Sequence, residues 1–489
     1  MLLSDLISKT GIYGKADSSK ITITDVCDDT RELVSGALFI AIHGKHFSPL
    51  SHIDEIEKSG AAALLLSSSE TPPKTNIPCF FADDIREAAS AVWEKYYGDP
   101  AKNLRLFAVT GTNGKTSTAM ILAHFFNSAG IKTAYIGTLG IYLGDTLWEE
   151  NEGMTTPPPH RLYRILHALL LLGVQNVVIE VSSHAIAEKR TGRLCFDAVL
   201  FTNLTEDHLD YHKTMEDYFA VKKSLFKQTD HAIINTDDLY GEELFRELSC
   251  RKDSVGVINA NADYHISELH ENGTDSTQYL CCAPFGEFPV SYPLFGAFNV
   301  YNTLIAITAA VHAGLCPDQI SHAAKSIKKP CGRLEKLPLP EGYNVIIDYA
   351  HTPDAMVKVL KITRRQTRGR LLALFGAGGD REREKRPQMG AIATELADMA
   401  FITADNPREE PLTQIFCDIL SGIHPSLQNY ILIPDRAQAI RQALSELTPE
   451  DTLLLLGKGH EEYLLVGREK IPFSEKKIVD AFIKEKSEK

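Results

Sequence analysis

The sequence predicts an α/β protein of three domains: a smaller N-terminal α/β domain, a central mainly parallel sheet with a phosphate-loop turn, and a C-terminal α/β domain. Three observations predict it. The chain has 489 residues, about three domains at roughly 150 residues each. From residue 104 onward, short apolar runs alternate with amphipathic stretches, the rhythm of a parallel sheet covered by helices. Those runs end in glycine-rich or charged sequence, where open α/β sheets bind their ligands.

Composition narrows the class. Hydrophobic residues make up 44% and charged residues 24%, which excludes a disordered or collagen-like chain. Asp plus Glu outnumber Lys plus Arg, 64 to 51, for a net charge of −13. Such a chain repels phosphate backbones at long range, so nucleic acid is not an expected partner, whereas small phosphorylated ligands need only a local site. No run approaches the ~18 apolar residues of a membrane span, so no membrane insertion is expected. The first ten residues lack the basic-then-apolar pattern of a secretory signal. Nine scattered cysteines without a Cys-x-x-Cys pair read as reduced thiols of a cytoplasmic protein.

In chain order, residues 1–100 hold apolar runs at 37–42, 61–66 and 79–82 and end at Gly98-Asp-Pro100, a linker. Residues 101–332 form the second block. Its strands are expected at 104–110, 132–137, 174–181, 198–202 and 231–235, with helices at 116–129 and 215–226. Residues 333–489 form the third, with strands at 344–347, 370–375, 400–403, 430–433 and 452–456. Four of these five run into polar or glycine-rich sequence, beginning at Asp348, Gly376, Asp405 and Gly457. The third block therefore reads as a second ligand-binding α/β domain.

The segment from Gly111 through Thr112, Asn113, Gly114, Lys115 and Thr116 to Ser117 follows a strand and opens a helix. Glycines there turn backbone N–H groups inward, the lysine reaches phosphate oxygens, and the Thr116 hydroxyl is placed for Mg²⁺. Val109 stands where the common pattern has its first glycine. No Asn-Lys-x-Asp element is present, which favours ATP over GTP. Glu180 ends a neighbouring strand and can hold a divalent metal. His208, past another strand end, reads equally as a metal ligand or as a solvated loop histidine. Spacing does not distinguish Lys222 from Lys223 on its helix.

In order along the chain stand Gly-Thr-Asn-Gly-Lys-Thr from 111, Thr155-Thr-Pro157, Glu-Val-Ser-Ser-His from 180, Thr-Asn-Leu-Thr-Glu-Asp-His from 202, Gly296-Ala-Phe-Asn-Val-Tyr-Asn302, Gly332-Arg-Leu-Glu335 and Asp348-Tyr-Ala-His-Thr-Pro353. This series resembles the Mur ligases of peptidoglycan precursor synthesis over nearly the whole chain. The resemblance implies an N-terminal UDP-binding domain, a central ATPase and a Rossmann-like C-terminal domain that binds an amino acid. It implies an ADP-forming amide ligation in which ATP phosphorylates a carboxylate and an amine attacks the acyl phosphate, with Mg²⁺ as cofactor. By matching positions it implies that Lys115 and Thr116 serve ATP and metal, that Glu180 and His208 serve metal, and that Lys222 is carbamylated and binds Mg²⁺. Asn302, Arg333 and Asp348 fall at nucleotide positions. Thr155, Thr156, Ser182 and Arg190 fall at positions that hold the muramoyl dipeptide. Thr30, in Asp29-Thr-Arg31, falls at the uridine signature, where Ser is usual. Glu188 stands where a neutral amide is expected. Small-molecule substrates and a monomer are the expected partners and state.

Asp405, Asn406, Pro407 and Arg408 resemble the signature of members that add meso-diaminopimelate. Alone, the four residues also read as a capped turn before a helix. Beside Gly457-Lys-Gly-His-Glu461 they read as a pocket. Diaminopimelate carries a carboxylate that lysine lacks. Arg408, with Arg381 in support, offers a fork for it, while Glu461 accepts the distal ammonium and Asn406 bonds both charged ends. The alternatives are lysine as acceptor, a folylpolyglutamate synthetase-like ligase, and an NTPase switch that turns over ATP without either co-substrate.

Overall fold

The computed structural model describes residues 1–44, 48–151, 153–272, 276–340 and 342–487. Three sheets follow one another along the chain, one in each predicted block.

The first has five strands. Asp25–Cys27, Ala37–Ile40, Ala63–Ser67 and Cys79–Ala82 run parallel, and the short Tyr13–Gly14 closes the edge antiparallel. The middle strands are nearly all apolar because both faces are covered.

The second sheet has eleven strands, six more than the five expected. Its parallel centre holds the five expected strands: Arg105–Thr110, Thr133–Gly137, Asn176–Glu180, Ala198–Phe201 and His231–Asn235. Arg251–Gly256 and Tyr264–Asn272 continue the parallel pairing. Ser276–Ala283 and Gly286–Tyr292 then extend that edge antiparallel, and Gly140–Leu143 with Thr146–Glu149 extends the other. The added strands are partly exposed, and Gly286–Tyr292 alternates buried with more exposed residues from Phe288 on. They carry no long apolar run, which is why the rhythm of the sequence did not disclose them.

The third sheet has six strands. Val345–Asp348, Thr452–Leu456, Leu371–Phe375, Met399–Ile402 and Tyr430–Leu432 lie parallel in that spatial order, and Glu335–Lys336 pairs antiparallel at the edge. All five parallel strands were expected. A hairpin, Tyr463–Val466 with Glu469–Pro472, stands apart. The predicted helix over 215–226 is α-helical only through Met215–Ser224, and its last turn tightens to a 3-10 helix at Leu225–Gln228.

Register decides where the chemistry falls. Glu180 pairs with Val109, and Phe201 with Thr110. The phosphate-loop segment, Glu180 and the 202–208 loop therefore leave adjacent strands at one level. In the third sheet Asp348 pairs with Leu456, and Phe375 with Ile402, so four loops emerge side by side. Among the described residues no helix is long and apolar enough to cross a membrane, and the nine cysteines are free thiols.

Candidate active site

The turn at residues 111–114 links the central strand to helix Lys115–Ser128. Two glycines make it possible. Gly111 has φ +148° and lies so close to Thr202 that a Cβ would come within 1.9 Å of Oγ1. Gly114 has φ +87° and lies against Asn302, where a Cβ would come within 2.4 Å of Oδ1. The loop is pinned from the 202–205 segment. The Asn113 N–H donates to Asn203 Oδ1 at 2.9 Å, and Thr202 Oγ1 donates to the Asn113 carbonyl at 2.7 Å. Lys115 curls back so that Nζ donates to the carbonyls of Gly111 and Thr112 at 3.0 and 2.9 Å. Burial pushes its pKa down, so an anion at the loop would restore the charged form.

Glu180 is 1% exposed. One oxygen accepts from Tyr135 Oη and from the Thr138 N–H at 3.1 Å; the other accepts from Thr116 Oγ1 at 3.0 Å and Thr138 Oγ1 at 3.1 Å. Among the described residues no cation ion-pairs with it. A buried carboxylate oriented by neutral donors, with a threonine hydroxyl beside it, fits a divalent cation. No cluster of three or more His, Cys, Asp or Glu converges among the described residues. The fit is therefore to a hard ion with few protein ligands, completed by phosphate and water.

His208, at φ +57°, has its pKa pushed down to about 3 by burial and by the nearby His184 and Lys115, against the pull of Asp207. A neutral imidazole is the ligating form. Its ring lies 4.9 Å from that of His184. Lys222 is 1% exposed, donates to the Gly111 carbonyl at 2.8 Å and sits 4.8 Å above the Tyr218 ring. Burial, and then Lys115, push its pKa well below the ordinary value. Lys223, its neighbour, is a surface residue paired with Glu247. Burial thus separates the two lysines that spacing left equal.

A cleft of about 460 Å³ opens between the phosphate loop and the third sheet. Asn113, Thr116, Ser117, Asn302, Arg333 and Asp348 all line it. Arg333 Nη2 donates to Thr116 Oγ1 at 3.3 Å, and its guanidinium stacks 4.7 Å over Tyr349. Asp348 is buried, accepts from the N–H groups of Leu334 and Ala350 at 2.7 and 2.8 Å, and has its pKa raised by burial. Asn302 packs on the loop itself, its oxygen accepting from Thr118 at 3.3 Å.

At the end of Asn176–Glu180, Thr156 donates to the Glu180 carbonyl at 2.8 Å and accepts from the Ser182 N–H at 3.1 Å. The Ser182 hydroxyl caps helix Ser183–Ala187. Thr155 meets Thr138 at 3.1 Å. Arg190 donates to the Thr156 carbonyl at 2.8 Å and ion-pairs with Glu188 at 2.8 Å. These four sequence-selected residues thus come together near Glu180, and the acid at 188 finds a partner inside the group. Thr30 lies apart, in the loop of the first sheet beside the Asp28–His160 pair, whose 3.0 Å contact joins that sheet to helix Pro159–Leu171.

In the third sheet Arg408, at φ +54°, donates from Nη1 to the Gly379 carbonyl at 2.8 Å. Burial and then the charge of Arg381 push its pKa down. Neither arginine is ion-paired among the described residues; Asp405, Glu461 and Asp380 act on Arg408 only from beyond contact, and their pull is outweighed by burial and Arg381. Asn406 Oδ1 accepts from Lys458 Nζ at 2.8 Å and from the Leu465 N–H at 2.9 Å, while Nδ2 donates to Glu461 at 2.9 Å. The carboxamide that was expected to bond both charged ends of a ligand is thus largely engaged by protein. Lys458, wholly buried, also pairs with Glu461 at 2.9 Å. A Cβ on Gly457 would come within 2.4 Å of Asp405 Oδ2.

Residues 109–310 match the Mur ligase middle domain, and residues 332–459 the glutamate ligase domain of Mur ligases. The UDP-N-acetylmuramoyl-L-alanyl-D-glutamate–2,6-diaminopimelate ligase of Aquifex aeolicus is 39% identical over 459 residues, 92% of each chain. The enzyme of that name from Haemophilus influenzae (strain PittGG) is 38% identical over 474 residues, 93% of this chain and 95% of its own.

The chain belongs to the Mur ligase family.

A solved structure of a UDP-N-acetylmuramoyl-L-alanyl-D-glutamate–2,6-diaminopimelate ligase is similar over 100% of this chain and 99% of its own, with a TM-score of 0.70 and 28% identity. Sequence reasoning about this Mur ligase passed over three residues. Asp207, 6% exposed, accepts the His208 N–H at 2.9 Å. Tyr218 carries Lys222 on its ring and shares a hydrogen bond with Thr112 at 3.2 Å. Lys458 ties Asn406 to Glu461. Only Lys458 left a signal: a cation directly after an apolar strand and between two glycines.

Proposed function

We propose that this Mur ligase joins meso-diaminopimelate to UDP-MurNAc-L-Ala-D-Glu, hydrolysing ATP to ADP and phosphate, in the cytoplasm. The observation that carries the acceptor assignment is the pair Arg381 and Arg408, neither in direct contact with a carboxylate among the described residues, beside the Asn406–Glu461–Lys458 network. Two facing cations are stable when an anion lies between them. A diaminopimelate carboxylate supplies that anion, whereas a lysine side chain would add a third positive charge. Glu461 is the acceptor for the distal ammonium, and Lys458 keeps it oriented.

The D-Glu carboxylate is the group made reactive. Lys115 and the N–H groups of the loop bind the phosphates of ATP and favour transfer of the γ-phosphoryl group. The amine of the incoming amino acid attacks the resulting acyl phosphate, the C–O bond to phosphate breaks, and the amine proton leaves to solvent. Thr116, Glu180, His208 and, as its carbamate, Lys222 would hold Mg²⁺, which supplies charge screening between the two anions. A buried lysine that ion-pairs with no carboxylate among the described residues favours the neutral amine, the form that adds CO₂. Thr155 and Arg190 support the reading that the dipeptide lies beside Glu180, and Thr30 that uridine lies at the first sheet.

Purified protein, ATP and the UDP-linked dipeptide, tested with meso-diaminopimelate or L-lysine, give amide only with the first. The oxygen-18 label of the dipeptide γ-carboxylate appears in the released phosphate. Preference for lysine would overturn the acceptor, and absence of label would overturn the acyl phosphate. Arg408→Lys raises KM for meso-diaminopimelate about tenfold or more, the loss of a charge-assisted hydrogen bond. KM for ATP changes less than about twofold in that variant, within the scatter of a site left untouched. Equal shifts in the two constants would remove Arg408 from the acceptor site.

A further inference from the structure

Three loops carry the acceptor-facing residues of the third sheet: 376–381 with Arg381, 404–408 with Asp405 and Arg408, and 457–461 with Gly457 and Glu461. Beneath them lie two arginines that solvent does not reach, Arg386 at 0% and Arg436 at 1% exposure. A buried guanidinium is tolerated only when its fork is filled and its charge is met. These forks are shared between backbone carbonyls of the three loops and carboxylates beneath them.

Arg436 Nη1 donates to the carbonyl of Ala404 at 3.1 Å, and Nη2 to the carbonyl of Leu456 at 2.8 Å. Ala404 directly precedes Asp405, and Leu456 directly precedes Gly457. Glu475, 3% exposed, meets the charge through Oε1 at 3.0 Å from Nε and 2.8 Å from Nη2. Arg386 Nη2 donates to the carbonyl of Gly378 at 3.1 Å. Glu410 meets it at 2.8 and 2.6 Å and Asp418 at 2.8 Å, and Glu410 also accepts the Asp380 N–H at 2.9 Å. The loops abut: a Cβ on Gly379 would come within 1.8 Å of the Pro407 carbonyl. Displacement of one loop therefore moves the others.

We propose that Arg386 and Arg436 are positioning residues for the acceptor amino acid, fixing from below the spacing of Arg381, Arg408 and Glu461. Neither arginine lines the cleft at the phosphate loop, so they act on acceptor binding and not on ATP binding. The proposal rests on the acceptor site lying at these loops. It does not depend on which amino acid binds there.

The test compares Arg436→Lys, Arg386→Lys and Glu475→Gln with Arg370→Lys. Arg370 pairs at 2.8 Å with Asp451, which is 2% exposed, just before strands Leu371–Phe375 and Thr452–Leu456, at the opposite end of the same sheet. KM is measured for ATP and for the amino acid the wild-type enzyme uses best, together with kcat and Tm. An ammonium cannot reproduce the fork by which Arg436 spans two carbonyls or Arg386 joins the Gly378 carbonyl to Glu410, and Glu475→Gln removes the charge that orients Arg436, so each of the first three variants raises acceptor KM about tenfold. KM for ATP stays within about twofold in all four. Arg370→Lys lowers Tm and leaves acceptor KM unchanged. An unchanged acceptor KM in the folded variants, or a parallel rise in both KM values, would overturn the proposal. Glu475→Gln keeps it testable if an arginine variant does not fold. A wrong acceptor assignment shows in the wild-type enzyme alone.

Discussion

Lys115→Ala lowers kcat/KM for ATP by about 10²–10³ or more, the loss expected when one preorganised donor to developing phosphate charge is removed. The lysine is held at the loop by two carbonyls at 3.0 and 2.9 Å, and its pKa is depressed by burial. Its ammonium is thus aimed into the turn before any ligand arrives. Alanine takes away the charge but leaves Gly111, Gly114 and the Asn203 contacts in place, so the fold and Tm change little. Steady-state kinetics with a thermal melt check both halves. Turnover near that of the wild-type enzyme would contradict the phosphate-loop assignment.

Glu180→Gln is the second large effect. The carboxylate accepts from Tyr135, Thr138 and Thr116 while almost fully buried. An amide of the same shape removes the negative charge and faces those donors with an NH₂ group. Ligation is expected to fall about 10²-fold or more, and the Mg²⁺ concentration for half-maximal rate to rise, because the groups that bind a metal or orient its ligands each contribute on that scale. Titration of activity against Mg²⁺ in both proteins decides it. An unchanged metal dependence would place the cation elsewhere.

Much of the fold was legible because parallel strands buried on both faces are written as continuous apolar runs. All five parallel strands of the third sheet and the five at the centre of the second were found that way. The antiparallel edges were not, since half-exposed strands such as Gly286–Tyr292 mix polar and apolar residues without a ligand-binding turn to mark them. The phosphate loop was legible for a local reason: backbone curvature and cation lie within seven residues. Glu180 was legible as a charge ending an apolar strand. Lys222 was not legible from spacing, because its burial depends on Gly111 and Tyr218, which lie far or obliquely along the chain. The same is true of Asn406, whose oxygen is occupied by a lysine 52 residues away. Residue type discloses what a side chain can do, while competition from distant partners decides what it is left free to do.

The residues that would read the incoming amine all stand on loops of the six-stranded sheet, whereas the turn that would handle phosphate belongs to the eleven-stranded one. Acceptor choice and phosphate binding would then fall mostly on different sheets, with Arg333 and Asp348 lending the third sheet to the nucleotide cleft. Exchanging the loops at 376–381, 404–408 and 457–461 alone would revise which building block enters the wall while keeping Arg333 and Asp348 at the cleft beside the phosphate loop.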